Sequence, residues 1–209
     1  MRRRLWLLGT GLLSSLILGV TAPWVKARES VLPDQDVLQI TLQTNWQGSS
    51  FPVENFQSYT SLFGYRRSIE RSMPEFHAGL DMAAPAGSYV RSWMAGRVIS
   101  VSDASACGTS VRIESGNWIH IYCHLQGRVE ISPQGRYVLD REGGLQIWEG
   151  QPVKAGTRIG RVGMTGRTTG PHLHWGLQYN RQWANPALVL QSMYDQQQVS
   201  YQPASRPSY

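Results

Sequence analysis

From Ser61 to Leu190 the chain never sustains the 3.6-residue apolar period of a helix. Short apolar runs alternate with glycines instead, as in "GSYVRSWMAGRVISVSD", "TSVRIESGNWIHIYCHL", "GTRIGRVGMTG" and "HLHWGLQYN". Runs this short, separated by turn-forming residues, predict a mainly β, antiparallel fold. The glycine-rich "GRVGMTGRTTG" lacks the lysine of a phosphate-binding loop and leads into the strand-like "HLHWGL", so it reads as a turn.

The flanks differ from this middle. Arg2, Arg3 and Arg4 precede the apolar stretch "LWLLGTGLLSSLILGV", and "VKA" closes the segment at Ala27, the layout of a secretory signal peptide. Cleavage there leaves residues 28–209 as one exported domain, in the periplasm or cell envelope; an uncleaved membrane anchor is the alternative. The net charge of +6 belongs mostly to this leader, since residues 28–209 carry sixteen basic against fourteen acidic residues. A balance of +2 is no nucleic-acid footprint, and no membrane contact is expected beyond the leader. Residues 28–60 read as a linker with one short strand at Val37 to Gln43, residues 61–190 as the domain, and Gln191 to Tyr209 as a flexible polar tail.

Cys107 and Cys123 flank two alternating runs around a turn at Ser115-Gly116-Asn117. A hairpin there brings the two thiols close enough for a disulfide in an oxidising compartment. Reduced buried thiols, or soft metal ligands, are the competing readings.

All five histidines fall in three stretches. "FHAGLDMAAPAG" puts His77 and Asp81 four residues apart, on one face of an extended segment; a helix would also place them on one face, but Gly79 and Pro85 favour the extended form. "WIHIYCHL" puts His120, Tyr122 and His124 on one face, with Cys123 turned away. "TGPHLHWG" projects His172 and His174 together, with Leu173 opposite. A half-buried polar pair is the plain reading of one H-x-H. Three such stretches permit a catalytic zinc site, with three protein ligands and an open position for water, built from His77, Asp81 and one imidazole of the third stretch. No H-E-x-x-H is present, so histidine has to supply the proton transfer.

Taken together, "FHAGLD" as H-x-x-x-D, "YCHL" as Y-x-H-L and "GRTTGPHLHWG" as G-x-[ST]-G-P-H-L-H resemble the lysostaphin and LytM type zinc metallopeptidases, the M23 peptidase family. The likeness runs from about Phe63 to Pro186 and takes in "AAPAG", "AGRVISV" and "VKAGTRIGRVGMTG". It implies an antiparallel β-sheet peptidase domain with one Zn²⁺ in a groove, cutting peptide cross-links of bacterial peptidoglycan. It also implies His77, Asp81 and His174 as metal ligands, with His172 and His124 catalytic. The resemblance leaves open which of the two is the base; His172 as base and His124 donating to the oxyanion suits one neutral and one protonated imidazole.

Two features depart from the family pattern. "QGRVEISPQGRYVLDREGGLQIWEG", residues 126–150, lengthens one link and reads as an inserted hairpin, either bordering the groove or a neutral surface excursion. His120 replaces what is often a small polar residue; with Tyr122 it is either cleft-lining or a simple strand residue. Trp93, Trp118, Trp148 and Trp175 are expected in packing roles, and Arg66 and Arg67 either border the groove or are solvated loop charges. The competing function is a non-enzymatic LytM-type activator of another cell-wall hydrolase, with a divisome or wall-hydrolase protein as partner. Relatives of that kind lack some of the ligands that this chain has. A zinc carboxypeptidase of another family would need wider His-to-Asp spacing and a glutamate near the last histidine.

Overall fold

A computed structural model of the chain describes residues 30–67 and 74–201. The expected signal peptide and residues 202–209 of the expected tail lie outside them. Helix α1 (Asp34–Gln43) precedes four short strands, β1 (Ser58–Ser61), β2 (Gly64–Arg67), β3 (Pro74–His77) and β4 (Leu80–Ala83). β5 (Tyr89–Arg91), β6 (Gly96–Ser102), β7 (Ser110–Ser115) and β8 (Trp118–Cys123) come next. β9 (Arg128–Ser132), β10 (Gly135–Asp140) and β11 (Leu145–Trp148) follow. The order closes with β12 (Pro152–Val153), β13 (Arg158–Arg161), β14 (His172–Tyr179), β15 (Gln182–Ala184) and α2 (Pro186–Tyr201).

The main sheet runs β1-β4-β14-β8-β7-β6-β12, with β15 added on β14 to make eight strands. Its pairings are antiparallel, as the glycine-separated runs predict. β14 is its longest strand and pairs with β4 through His172 to Trp175 and with β8 from His174 onward. Alternation then divides the faces. Leu173, Trp175 and Leu177 of β14 enter the main core with Leu80 and Met82 of β4 and Ile113 of β7. Each such side chain, fully buried, contributes roughly 1.5–3 kcal/mol. The other face carries Ile119, Ile121 and Cys123, packed against Cys107 and Trp183.

Residues 30–60 carry a helix where the sequence reads as a linker. Val37 to Gln43, expected as a strand, belongs to α1, because Asp34 and Asp36 favour the first turn of a helix and Val37 and Thr41 are buried one turn apart. The tail expected to be flexible from Gln191 is helical as far as Tyr201, since α2 packs against α1. Val189, Leu190 and Met193 are buried, and Gln197 Nε2 donates to Trp46 O (3.0 Å) and Ser49 O (3.1 Å). Trp46 in turn packs on Trp93 at 5.3 Å, within the core beneath the sheet.

The insertion has one strand more than a hairpin. β10 pairs with β11, as expected for "RYVLD" and "LQIWE", and on its other edge with β9. Val138 and Ile147 join the main core, and Arg161 of β13 holds Asp140 through two charge-assisted bonds of 2.6 and 2.7 Å. Trp93, Trp118 and Trp175 are core residues, whereas Trp148 stacks on Tyr137 within the insertion at 4.2 Å.

Candidate metal centre

β3 belongs to a separate ribbon with β2, and the chain crosses to the main sheet through Ala78 and Gly79 before β4. That crossing folds His77 over Asp81, while the β4 and β14 register sets Asp81 directly beside His174. Gly79 lets the imidazole in, because an added Cβ would lie 2.6 Å from His174 Cε1 and 2.7 Å from its Nε2. Asp81 Oδ1 is 3.0 Å from His77 Nε2 and 2.8 Å from His174 Nδ1, and the two nitrogens are 3.0 Å apart. His77 Nδ1 lies 2.7 Å from Leu62 O; a carbonyl only accepts, so a neutral His77 directs its Nε2 lone pair at the other two atoms.

Three converging lone-pair donors are a ligand set for a divalent ion, and His77, Asp81 and His174 form a group able to hold one. The edges of a tetrahedral zinc site with ligands at 2.0–2.1 Å are about 3.3–3.4 Å, so opening the triangle by a few tenths of an ångström accommodates the ion. Burial alone would raise the Asp81 carboxyl, but the adjoining His174 and His77 imidazoles outweigh it and hold the group well below the usual carboxylate range. Burial pushes His174 down, which favours the neutral ring a metal needs. Arg66 Nη1 sits 3.6 Å from Asp81 Oδ2, beside the oxygen that does not face the histidines, and also donates to Ser61.

The groove around this triangle encloses about 700 Å³. His124, His172, Arg66 and Arg67 line it, with Cys107 and Cys123, which form a disulfide with Cα atoms 5.0 Å apart. The His124 and His172 rings lie 4.8 Å apart, and His124 is 6.0 Å from His174. His124 Nδ1 donates to Thr165 O (2.8 Å) and His172 Nδ1 to Gly170 O (2.9 Å), so each neutral ring leaves Nε2 as its acceptor. Burial lowers His124 to about 4, and it is neutral at pH 7. A second cavity of about 570 Å³, under the insertion between Gln126, Asp140 and Met164, contains none of the histidines.

His120 and Tyr122 do not line the groove. Both are fully buried on the core face of β8, where His120 bonds Ser115 Oγ (2.8 Å) and the Tyr122 hydroxyl (2.7 Å). His124 escapes that face because its φ of +59° breaks the alternation that the sequence pattern assumes. The carbonyls of Leu62, Thr165 and Gly170 that orient the rings carry no residue signature, so sequence reasoning had no signal for them.

Residues 75–186, just over half of the chain, match the family model for peptidase family M23. The chain belongs to peptidase family M23. Among its relatives, the DD-carboxypeptidase/endopeptidase Mpg of Neisseria meningitidis serogroup B is 34% identical over 131 residues, covering 62% of this chain and 26% of the relative. The peptidoglycan DD-endopeptidase ShyA of Vibrio cholerae is 33% identical over 131 residues, covering 61% and 26%. This M23 chain therefore matches about a quarter of the length of those relatives. A zinc-containing peptidase from Vibrio cholerae shares the fold with a TM-score of 0.53 and 28% identity, covering 66% of this chain and 38% of that one.

Proposed function

We propose that this M23 chain is an exported zinc endopeptidase that hydrolyses peptide cross-links of bacterial peptidoglycan. The convergence of His77, Asp81 and His174 with two further imidazoles in one groove carries the reading. The M23 match and the names of Mpg and ShyA support it. The basic, apolar leader and the disulfide support export. His77 through Nε2, His174 through Nδ1 and Asp81 through Oδ1 would hold the zinc, which when bound lowers the pKa of its water to about 7 and polarises the scissile carbonyl.

The chain's own groups handle the protons. His172, with Nδ1 tied to Gly170 O, accepts the proton of the attacking water at Nε2 and returns it to the leaving amine nitrogen. His124 is neutral at rest and presents Nε2 to the groove. As negative charge builds on the carbonyl oxygen the ring takes a proton from bulk water, donates a hydrogen bond from Nε2–H to that oxygen, and returns the proton to solvent when the carbonyl re-forms. Arg66 holds Asp81 through its outer oxygen. The complete ligand set disfavours the non-enzymatic activator.

The test is zinc analysis of the purified chain together with release of soluble peptides from peptidoglycan, beside His172→Ala. One zinc per chain is expected in both proteins, with release reduced at least about 100-fold in the variant. One zinc with no release by the unaltered protein would refute the enzyme and favour the activator.

A further inference from the structure

His124 is a non-glycine residue with φ +59°, a conformation that persists only where its surroundings over-determine it. Its surroundings do so from two sides. On one, the residue before it is disulfide-bonded to Cys107, and the His124 N–H donates to Cys107 O (2.8 Å) while Leu125 N–H donates to Thr109 O (2.9 Å). On the other, Gly163 N–H donates to His124 O (2.9 Å) and Thr165 O accepts from Nδ1 (2.8 Å).

The two sides also grip each other. Arg167 N–H donates to Ala106 O (2.8 Å), and Thr109 N–H to Thr165 Oγ1 (2.8 Å). Gly108 and Gly166 permit this approach: a Cβ on Gly108 would lie 2.3 Å from the Thr165 carbonyl carbon, and one on Gly166 2.4 Å from Ala106 O. Yet residues 103–106 are exposed and belong to no strand. The disulfide is their covalent tie to the end of β8. The ligand triangle does not depend on it: His77 is oriented by Leu62 O, and the β4, β14 and β8 ladders that set Asp81 beside His174 are backbone-made.

We propose that the Cys107–Cys123 disulfide is a positioning element of the active site. It clamps residues 105–109 onto His124, so that its loss separates metal binding, which survives, from turnover, which does not. Cys107 and Cys123 thus act through His124, and the proposal rests on the catalytic reading of that residue.

The test compares the full chain with Cys107→Ser/Cys123→Ser, both zinc-loaded, on a soluble cross-linked peptide dimer prepared from peptidoglycan. Val37→Ala serves as a stability control, a buried residue of α1 remote from the groove. The double variant is expected to keep one zinc per chain and a KM within about twofold, while kcat falls about 10- to 100-fold, the scale of a displaced catalytic group. Val37→Ala is expected to lower the unfolding midpoint and leave kcat alone. Thr165→Val, which deletes the hydroxyl joining Thr109 to Leu125 O, attacks the clamp with the disulfide intact and is expected to give the same signature at several-fold size. An unchanged kcat in the serine variant overturns the proposal, as does loss of its zinc, or a kcat loss that Val37→Ala reproduces. An unaltered chain that binds zinc and cleaves nothing refutes the enzymatic reading itself, and the proposal with it.

Discussion

At the scale of single residues, the centre depends as much on a missing atom as on the ligands. A Cβ at Gly79 would stand 2.6 Å from His174 Cε1 and 2.9 Å from Trp175 O, so Gly79→Ala has to displace the imidazole, the strand, or both. Zinc affinity, measured by competition with a chromophoric chelator, is expected to drop at least about tenfold, and overpacking to cost about 1–3 kcal/mol of stability. Wild-type affinity would show that His174 shifts without leaving the site. The candidate site residues were legible in the sequence because metal chemistry is a property of residue type: His77, Asp81 and His174, the group able to hold an ion, and His172 beside them announce themselves by identity and spacing. His120 and Tyr122 stayed open between cleft and strand interior for the opposite reason. Strand periodicity places them with His124, and only the backbone dihedral at His124 sends that ring to the groove and leaves the other two in the core.

At the scale of elements, the two helices show where pattern and packing part company. Val37 to Gln43 satisfies both a strand-like alternation and a helical stripe, and the decision falls to packing, which buries Val37 and Thr41 and sets α1 against α2. α2 itself reads as tail because its outer half is polar, yet Ser192 Oγ donates to Thr41 Oγ1 (3.0 Å), Gln196 Nε2 to Thr41 O (3.3 Å) and Gln197 to Trp46 and Ser49. Deleting residues 191–209 removes those bonds and the buried Met193. The loss is expected to exceed about 2 kcal/mol, from one buried side chain and several hydrogen bonds. Denaturant unfolding measures it, and zinc content should hold at one per chain, since α2 carries none of the ligands. A deletion without effect on the midpoint would return the segment to the status of a tail.

At the scale of the whole molecule, burying His120 beneath the sheet couples stability to pH. Desolvation lowers that imidazole to about 3, whereas in the unfolded chain it titrates near 6.5. Below pH 6.5 the unfolded chain takes up a proton that the folded chain refuses until about pH 3, so this stabilisation is whole above 6.5 and is lost progressively as pH falls toward 3. The slope from this one group approaches about 1.4 kcal/mol per pH unit. Unfolding free energies between pH 7.5 and 4 should therefore fall less steeply for His120→Gln, whose amide does not titrate. Parallel curves would mean that the buried ring takes up its proton as readily as the unfolded one. By itself, the sequence determined the antiparallel class and marked the candidate ligand, catalytic and cysteine residues, because strand period, metal chemistry and thiol chemistry are written in identity and spacing. Only the tertiary structure decided which imidazole enters the groove, which one is sealed in the core, that the insertion has three strands, and that α1 and α2 are paired helices. Those outcomes rest on a backbone dihedral, a carbonyl's position and contacts between distant segments, none of which leaves a local pattern in the chain.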